Sequence, residues 1–205
     1  DSGGFYTDDN CALAHRRLSV IDPARSAQPM TRKTALDSYT IVYNGELYNT
    51  AEIRSELEST GISFTSSGAT EVLLWAYITW GEACLDKLNG IYAFAVWQEK
   101  EKQLFLARDR IGVKPLFYYE YAGGLIFASE IKTLLAHPMI EPVVDRDGIA
   151  QIMLLGPARK PGSGIFKGIR ELRPAECAMY CRCGLRKRTY WSLHALPHKE
   201  TAEET

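Results

Sequence analysis

The chain has 205 residues, 46% of them hydrophobic and 24% charged, with a formal net charge of −1. A chain of that length buries roughly 70% of the surface its unfolded form exposes, so a core needs neither metal nor disulfide. Interspersed acids and bases exclude a bulk electrostatic grip on nucleic acid or on an anionic membrane. No apolar run is long enough to span a bilayer, and Asp1-Ser2-Gly3-Gly4 has neither the basic nor the apolar part of a signal peptide. The five cysteines, an odd number in a chain of this size, read as reduced thiols in a cytoplasmic protein.

Strand-like runs dominate the chain: 11–20, 39–47, 90–97, 103–108, 115–121 and 125–128. Short turns such as Ala122-Gly123-Gly124 suit antiparallel hairpins. Helical signals fall between the strands. Asn49 with Glu52 reads as a capping pair opening a helix to about Glu58, which Gly61 ends. Residues 70–80 are apolar enough for a buried helix stopped by Gly81, and 131–136 and 147–155 are shorter candidates. Clustered strands with clustered helices point to an α+β domain of antiparallel sheets. Residues 156–168 read as a Gly- and Pro-rich loop, and after Trp191 the chain turns polar, like a linker.

Four features carry chemistry or invite it. Asn44-Gly45 follows a strand and is either a tight hairpin turn or an amide and a bare N–H able to cradle an oxyanion. Arg17 shares a strand face with Ser19, opposite Leu18 and Val20. Such an arginine is either an exposed edge residue or a bidentate clamp for a carboxylate. The run from Arg108 to Tyr118 joins two strands through a charged, Gly-containing turn. Cys177, Cys181 and Cys183 with His194 and His198 suggest zinc, but Cys181-x-Cys183 is too tight for the usual knuckle. Alternation on one strand face accounts for those cysteines, so no metal is assigned. Arg182, Arg186, Lys187 and Arg188 read as a solvated strand face.

The motifs occur in a distinctive order. His15-Arg16-Arg17-Leu18-Ser19-Val20-Ile21-Asp22 is followed by Gln28-Pro29-Met30 and Tyr43-Asn44-Gly45-Glu46-Leu47-Tyr48-Asn49. Next come Glu71-Val72-Leu73-Leu74, Leu88-Asn89-Gly90-Ile91-Tyr92-Ala93-Phe94-Ala95, the Arg108 run and Phe127-Ala128-Ser129-Glu130-Ile131-Lys132. From Asp1 to about Trp191 this resembles the N-terminal domain of glutamine-hydrolysing asparagine synthetases. These are class II glutamine amidotransferases of the N-terminal-nucleophile hydrolase type. The resemblance implies a four-layer α/β/β/α sandwich of two antiparallel sheets, with the first strand missing here.

It also implies a site. In the family an N-terminal cysteine attacks the side-chain amide of L-glutamine, with its own α-amine as base. Asn44 and Gly45 resemble the oxyanion hole. Arg17, with Leu18 and Ser19 beside it, resembles the clamp on the glutamine carboxylate. Val20 and Ile21 resemble backbone contributors to the pocket, and Glu46 resembles a residue at the α-amino end. Ala69 stands where the family carries an aspartate for the substrate ammonium. No residue precedes Asp1 in this sequence and the five cysteines are internal, so the expectation is a chain without glutaminase activity as it stands. The glutaminase domain is expected over residues 1–191, with 192–205 a linker toward an ATP-dependent synthetase domain that amidates aspartate. That domain would hold the ATP and Mg, while the glutaminase domain takes no cofactor. The alternative is a superfamily member that keeps the fold without glutaminase chemistry, as β-lactam synthetases do. An unpaired sheet edge left by a missing strand would make a homodimer one outcome.

Overall fold

The computed structural model describes residues 2–17 and 27–195, excluding the side chains of Ser2 and Arg17. In chain order the elements are β1 (Ser2–Thr7), β2 (Ala12–Arg17), β3 (Met30–Lys33), β4 (Ser38–Leu47), α1 (Thr50–Ser59) and α2 (Ala69–Trp80). A 3₁₀ turn (Gly81–Ala83), α3 (Cys84–Lys87), β5 (Gly90–Gln98), β6 (Gln103–Arg108), β7 (Phe117–Tyr121) and β8 (Gly124–Ala128) follow. The last elements are α4 (Ile131–Leu135), α5 (Arg146–Leu155), β9 (Ile169–Glu171), β10 (Glu176–Cys181) and β11 (Gly184–Thr189).

The main sheet has six strands in the order β11-β10-β6-β5-β4-β3, and its paired neighbours run antiparallel. Strand periodicity divides its residues between two faces. Ile41, Tyr43, Phe94, Val96, Phe105 and Ala107 point to one side and pack against Ile53 and Leu57 of α1 and Val72, Leu73 and Ala76 of α2. Val42, Ala93, Ala95, Leu104 and Leu106 point to the other side and meet Leu13, Leu116 and Leu172. Beyond that second interface lie two smaller pieces of sheet, the β1–β2 hairpin and the three strands β8-β7-β9. Phe117, Ala128 and Ile169 of the latter pack outward on Leu134 of α4. The layers therefore run helix, sheet, sheet, helix, as the resemblance implies.

Two local expectations fail for physical reasons. Asn49 does cap α1 by position, but its side chain makes no cap hydrogen bond. Instead Asn49 Nδ2 donates to the Lys87 carbonyl and Oδ1 accepts from the Asn89 N–H, both at 2.9 Å. A tertiary partner has outcompeted the local one. Asn44-Gly45 forms no turn either, because β4 pairs with β5 continuously from Tyr39 to Leu47. What Gly45 permits is close approach: a Cβ there would lie 2.2 Å from the Ile91 carbonyl oxygen. Gly90 does the same from the opposite strand, where a Cβ would lie 2.3 Å from the Glu46 carbonyl oxygen. Only glycine fits where the strands pinch together.

Candidate functional site

Asn44 is placed by strand alternation on the same face as Val42, opposite Ala93. That face lines an open cleft of about 1800 Å³ between the main sheet and the second layer. The cleft walls include Asn44, Gly45 and Glu46 from β4, Ala12 to Arg16 from β2, and Ser67 to Thr70 at the start of α2. Asn44 is half-buried and Glu46 is exposed. A half-buried amide at a cleft wall can donate to a ligand while its backbone stays in the ladder.

The backbone just before Asn44 is unusually well held. The Tyr43 N–H donates to Gln28 Oε1 at 2.6 Å, and the Tyr43 carbonyl accepts from Gln28 Nε2 at 2.9 Å and from His15 Nε2 at 3.1 Å. Gln28 is buried, and its Nε2 also reaches Thr70 Oγ1 at 3.3 Å. One side chain thus takes the place of a neighbouring strand and ties β4 to the first turn of α2. These bonds show which way the ladder faces at Tyr43, toward the β3 edge and away from β5. Alternation in an antiparallel pair then turns the Gly45 N–H to the same edge. β3 pairs with β4 only as far as Ile41, so no described strand takes that N–H. Tyr92, opposite Gly45, agrees: its N–H turns away from β4 and donates to Asp109 Oδ2 at 3.3 Å.

The α2 end of the cleft is fixed by a buried carboxylate. Glu71 is fully buried and faces Arg32 at 2.9 Å. It also accepts from the N–H groups of Thr65, at 3.0 Å, and Ser66, at 2.6 Å. Burial pushes its pKa up, but hydrogen bonds from Thr65, Ser66 and Arg32 outweigh that and hold the carboxyl at about 2. It stays charged, and it clamps the loop that leads to Gly68 and Ala69. Ala69 is the first residue of α2 and presents only a methyl to the cleft.

The structure thus brings Asn44, Gly45, Glu46 and Ala69 to one cleft. The Arg17 backbone pairs with Ser2, its side chain lies outside the described atoms, and Leu18, Ser19, Val20 and Ile21 lie outside the described residues. Gln28 is a positioning residue that sequence reasoning left without a role, and His15, structural rather than catalytic on its sequence reading, joins it on the Tyr43 carbonyl. The quoted Gln28-Pro29-Met30 motif was the available signal for Gln28.

No described cysteine is placed to attack a group held by Asn44. Cys11 lines the cleft, but it sits in the β1–β2 turn, where Asp8 accepts from Trp97 Nε1 at 2.6 Å. Trp97 is four residues along β5 from Ala93, roughly 13 Å at strand rise. Burial, with the Asp8 charge, pushes the Cys11 thiol up to about 12. Cys84 and Cys177 are in the helix-side core, and Cys181 and Cys183 lie at the far β10–β11 turn. The three C-terminal cysteines do not share a strand face as their alternation suggests. Cys177 is buried and Cys183 is in the exposed turn, while His198 lies outside the described residues.

Known proteins give this geometry its family. Residues 1–191 match the family model described as a glutamine amidotransferase domain. The chain is 47% identical over its whole length to asparagine synthetase [glutamine-hydrolyzing] 3 of Bacillus subtilis, covering 33% of that protein. It is 36% identical over 84% of its length to a putative asparagine synthetase [glutamine-hydrolyzing] of Mycobacterium tuberculosis, covering 28% of it. The chain therefore spans about a third of the length of these curated relatives. Among solved structures, the glutamine phosphoribosylpyrophosphate amidotransferase of B. subtilis superposes with a TM-score of 0.60 at 22% identity, covering 88% of this chain and 35% of that one. At that identity the likeness speaks for the fold, and it agrees with the four layers found here. Sequence and fold together make this chain a member of the glutamine amidotransferase domain family.

Proposed function

We propose that this chain binds L-glutamine and serves as the glutaminase domain of a glutamine-hydrolysing asparagine synthase. The observation that carries the proposal is the pairing of the Asn44 amide with the free-facing Gly45 N–H on one wall of the cleft. Two donors on adjacent residues suit the oxygen of a tetrahedral adduct better than a planar amide. The Arg17 guanidinium would take the substrate carboxylate, with Leu18, Ser19, Val20 and Ile21 completing that wall, and Glu46 would face the α-ammonium. Ammonia released at Asn44 would go to a synthetase region such as the relatives' remaining length would hold. ATP and Mg belong to that region, and no residue of this chain is assigned to them.

A nucleophile carried on a further strand would fit the second layer beside Asn44. Among the described residues β2 pairs only with β1 and β8 only with β7, and both line the same cleft. Its floor is apolar, with Val42, Ala93, Ala95 and Leu104. A strand laid there would join the second layer into one sheet and deliver a thiol beside Asn44. The second reading, a non-catalytic member of the fold, is favoured by Ala69, whose methyl gives an ammonium nothing to pair with.

Amide-resolved NMR of the 205-residue chain tests binding without requiring turnover. Titrated L-glutamine should shift the Asn44 side-chain amide, the Gly45 N–H and the Ala69 N–H together. Shifts confined to other surfaces would remove the glutamine assignment.

A further inference from the structure

The β10–β11 hairpin carries a pair of thiols that the glutamine site does not use. Cys181 ends β10 and pairs with Gly184 of β11, leaving Arg182-Cys183 as the loop. Gly184 has φ of +98°, which lets the chain turn back sharply. The Cys183 N–H donates to Cys181 Sγ at 3.3 Å, so the half-buried sulfur already faces the backbone of its neighbour. The Cys181 side chain beside it pushes the Cys183 thiol above its usual value. Two Cα atoms separated by one residue in a tight turn lie about 5–6 Å apart, within the usual disulfide range of about 4.4–6.8 Å. The remaining thiols are poorly suited to exchange. Burial pushes Cys11 and Cys84 up to about 12 and Cys177 up to about 11.

We propose that Cys181 and Cys183 form a thiol-exchange site that closes to an intrachain disulfide with a small disulfide such as oxidised glutathione. The exposed Cys183 thiolate attacks one sulfur of the small disulfide, forming a mixed disulfide and expelling one thiolate. The Cys181 thiolate then attacks Cys183 Sγ, forming the intrachain bond and expelling the second thiolate. The two protons lost by the protein thiols end on the two released small thiols, so the protein is oxidised by two electrons and the small disulfide is reduced. A ring closed over a single residue is strained, which makes the bond readily reducible, as a reversible modification requires. The hairpin supports this chemistry through geometry, since the half-buried Cys181 sulfur is held beside Cys183, the most exposed of the thiols. Because Cys183 is pushed up, exchange should quicken as pH rises above neutral.

The test treats the reduced 205-residue chain with oxidised glutathione at mildly alkaline pH, quenches with an alkylating reagent, and maps the peptides by mass spectrometry. The expected product loses the mass of two hydrogen atoms and holds one disulfide, between Cys181 and Cys183. Cys183→Ser should abolish it, whereas Cys181→Ser should leave a lasting glutathione adduct on Cys183. Unfolding in urea should slow closure several-fold, because the turn no longer holds the sulfurs together. A lasting adduct on Cys183 in the unaltered chain, a disulfide using Cys11, Cys84 or Cys177, or equal rates with and without urea would each overturn the proposal.

Discussion

The two faces of the six-stranded sheet are made of the same strands and have different fates. On the helix side the strands present large side chains: Tyr43, Phe94, Val96 and Phe105 meet α1 and α2, and Tyr77 stacks on Phe105 with centroids 4.8 Å apart. On the cleft side β5 presents Ala93 and Ala95, and the space above them stays open. From Tyr92 to Val96 β5 thus alternates large and small as well as side and side, until Trp97 closes the cleft side. The difference teaches that one strand can serve as core and as site wall, provided the residues of one parity are small where the ligand must fit, as Ala93 and Ala95 are. Stability is concentrated on the helix face, and room for a ligand on the other.

The most direct way to break this comparison is to cut one large side chain from each face. Phe94→Ala on the helix side should cost about 3–5 kcal/mol, because the cavity it leaves is enclosed by Tyr92 and Phe105 and cannot collapse. Leu104→Ala on the cleft side should cost about 2 kcal/mol, near the low end for such changes, because its surroundings already open to the cleft. Chemical denaturation of the two variants measures both. Equal losses would mean that the cleft floor is packed as tightly as the core.

A smaller effect is expected at the junction of the two regions, where Glu71 ties α2 to the rim of the cleft. Its folded pKa lies below the unfolded value of 4.5, at about 2, so the ionised form is the one folding favours. The stability it contributes is fully present above about 4.5 and is lost as pH falls toward about 2. Glu71→Gln should lower stability at neutral pH by about 1–3 kcal/mol, since the Thr65 and Ser66 N–H groups would then face an amide in place of a carboxylate. It should also flatten the acid limb of the stability profile between those two pH values. Thermal melts from acid to neutral pH read both, and an unchanged acid limb would show that another carboxylate carries it.

Much of the packed face was legible in the sequence. Residues 70–80 read as a buried helix because their apolar residues run all round, and Val72, Leu73, Leu74 and Ala76 are all buried. The strand-like run 90–97 marked β5, and the basic residues of 186–188 read as a solvated strand face, which β11 is. The cleft face was less legible, because what shapes it is remote. Asn44-Gly45 carries a turn signal that the Gly45–Gly90 pinch overrides, and neither glycine reveals its partner locally. Gln28 is a polar residue whose role exists only once β4 lies beside it. Asn49 shows the same limit: its local cap competes with a contact to residues 87–89 that only the fold creates. The split of the second layer into two pieces has no local signature at all.

A last way to sharpen the comparison concerns Ala69, a cleft residue where the resemblance implies an aspartate. The resemblance places an aspartate at position 69, and here a methyl faces the cleft from the first turn of α2. If L-glutamine sits against Asn44 as proposed, its α-ammonium lacks a charged hydrogen bond worth about 1.5–3 kcal/mol. Glu46 is on the same wall, but it is exposed, and a carboxylate in contact with water contributes little to an ion pair. Ala69→Asp should therefore tighten L-glutamine binding roughly ten- to hundredfold. The fold should tolerate the change, because an acidic residue in the first turn of a helix is favoured by about 0.3–1 kcal/mol. Glutaramate, which keeps the amide and one carboxylate but lacks the α-amine, separates a specific pairing from a general gain. Its affinity should stay the same or fall, since the introduced carboxylate has no cation to meet. Calorimetric titration of both ligands into both proteins gives the four constants needed. If the substitution strengthens glutaramate as much as glutamine, or strengthens neither, the ammonium lies elsewhere and position 69 is only the start of a helix.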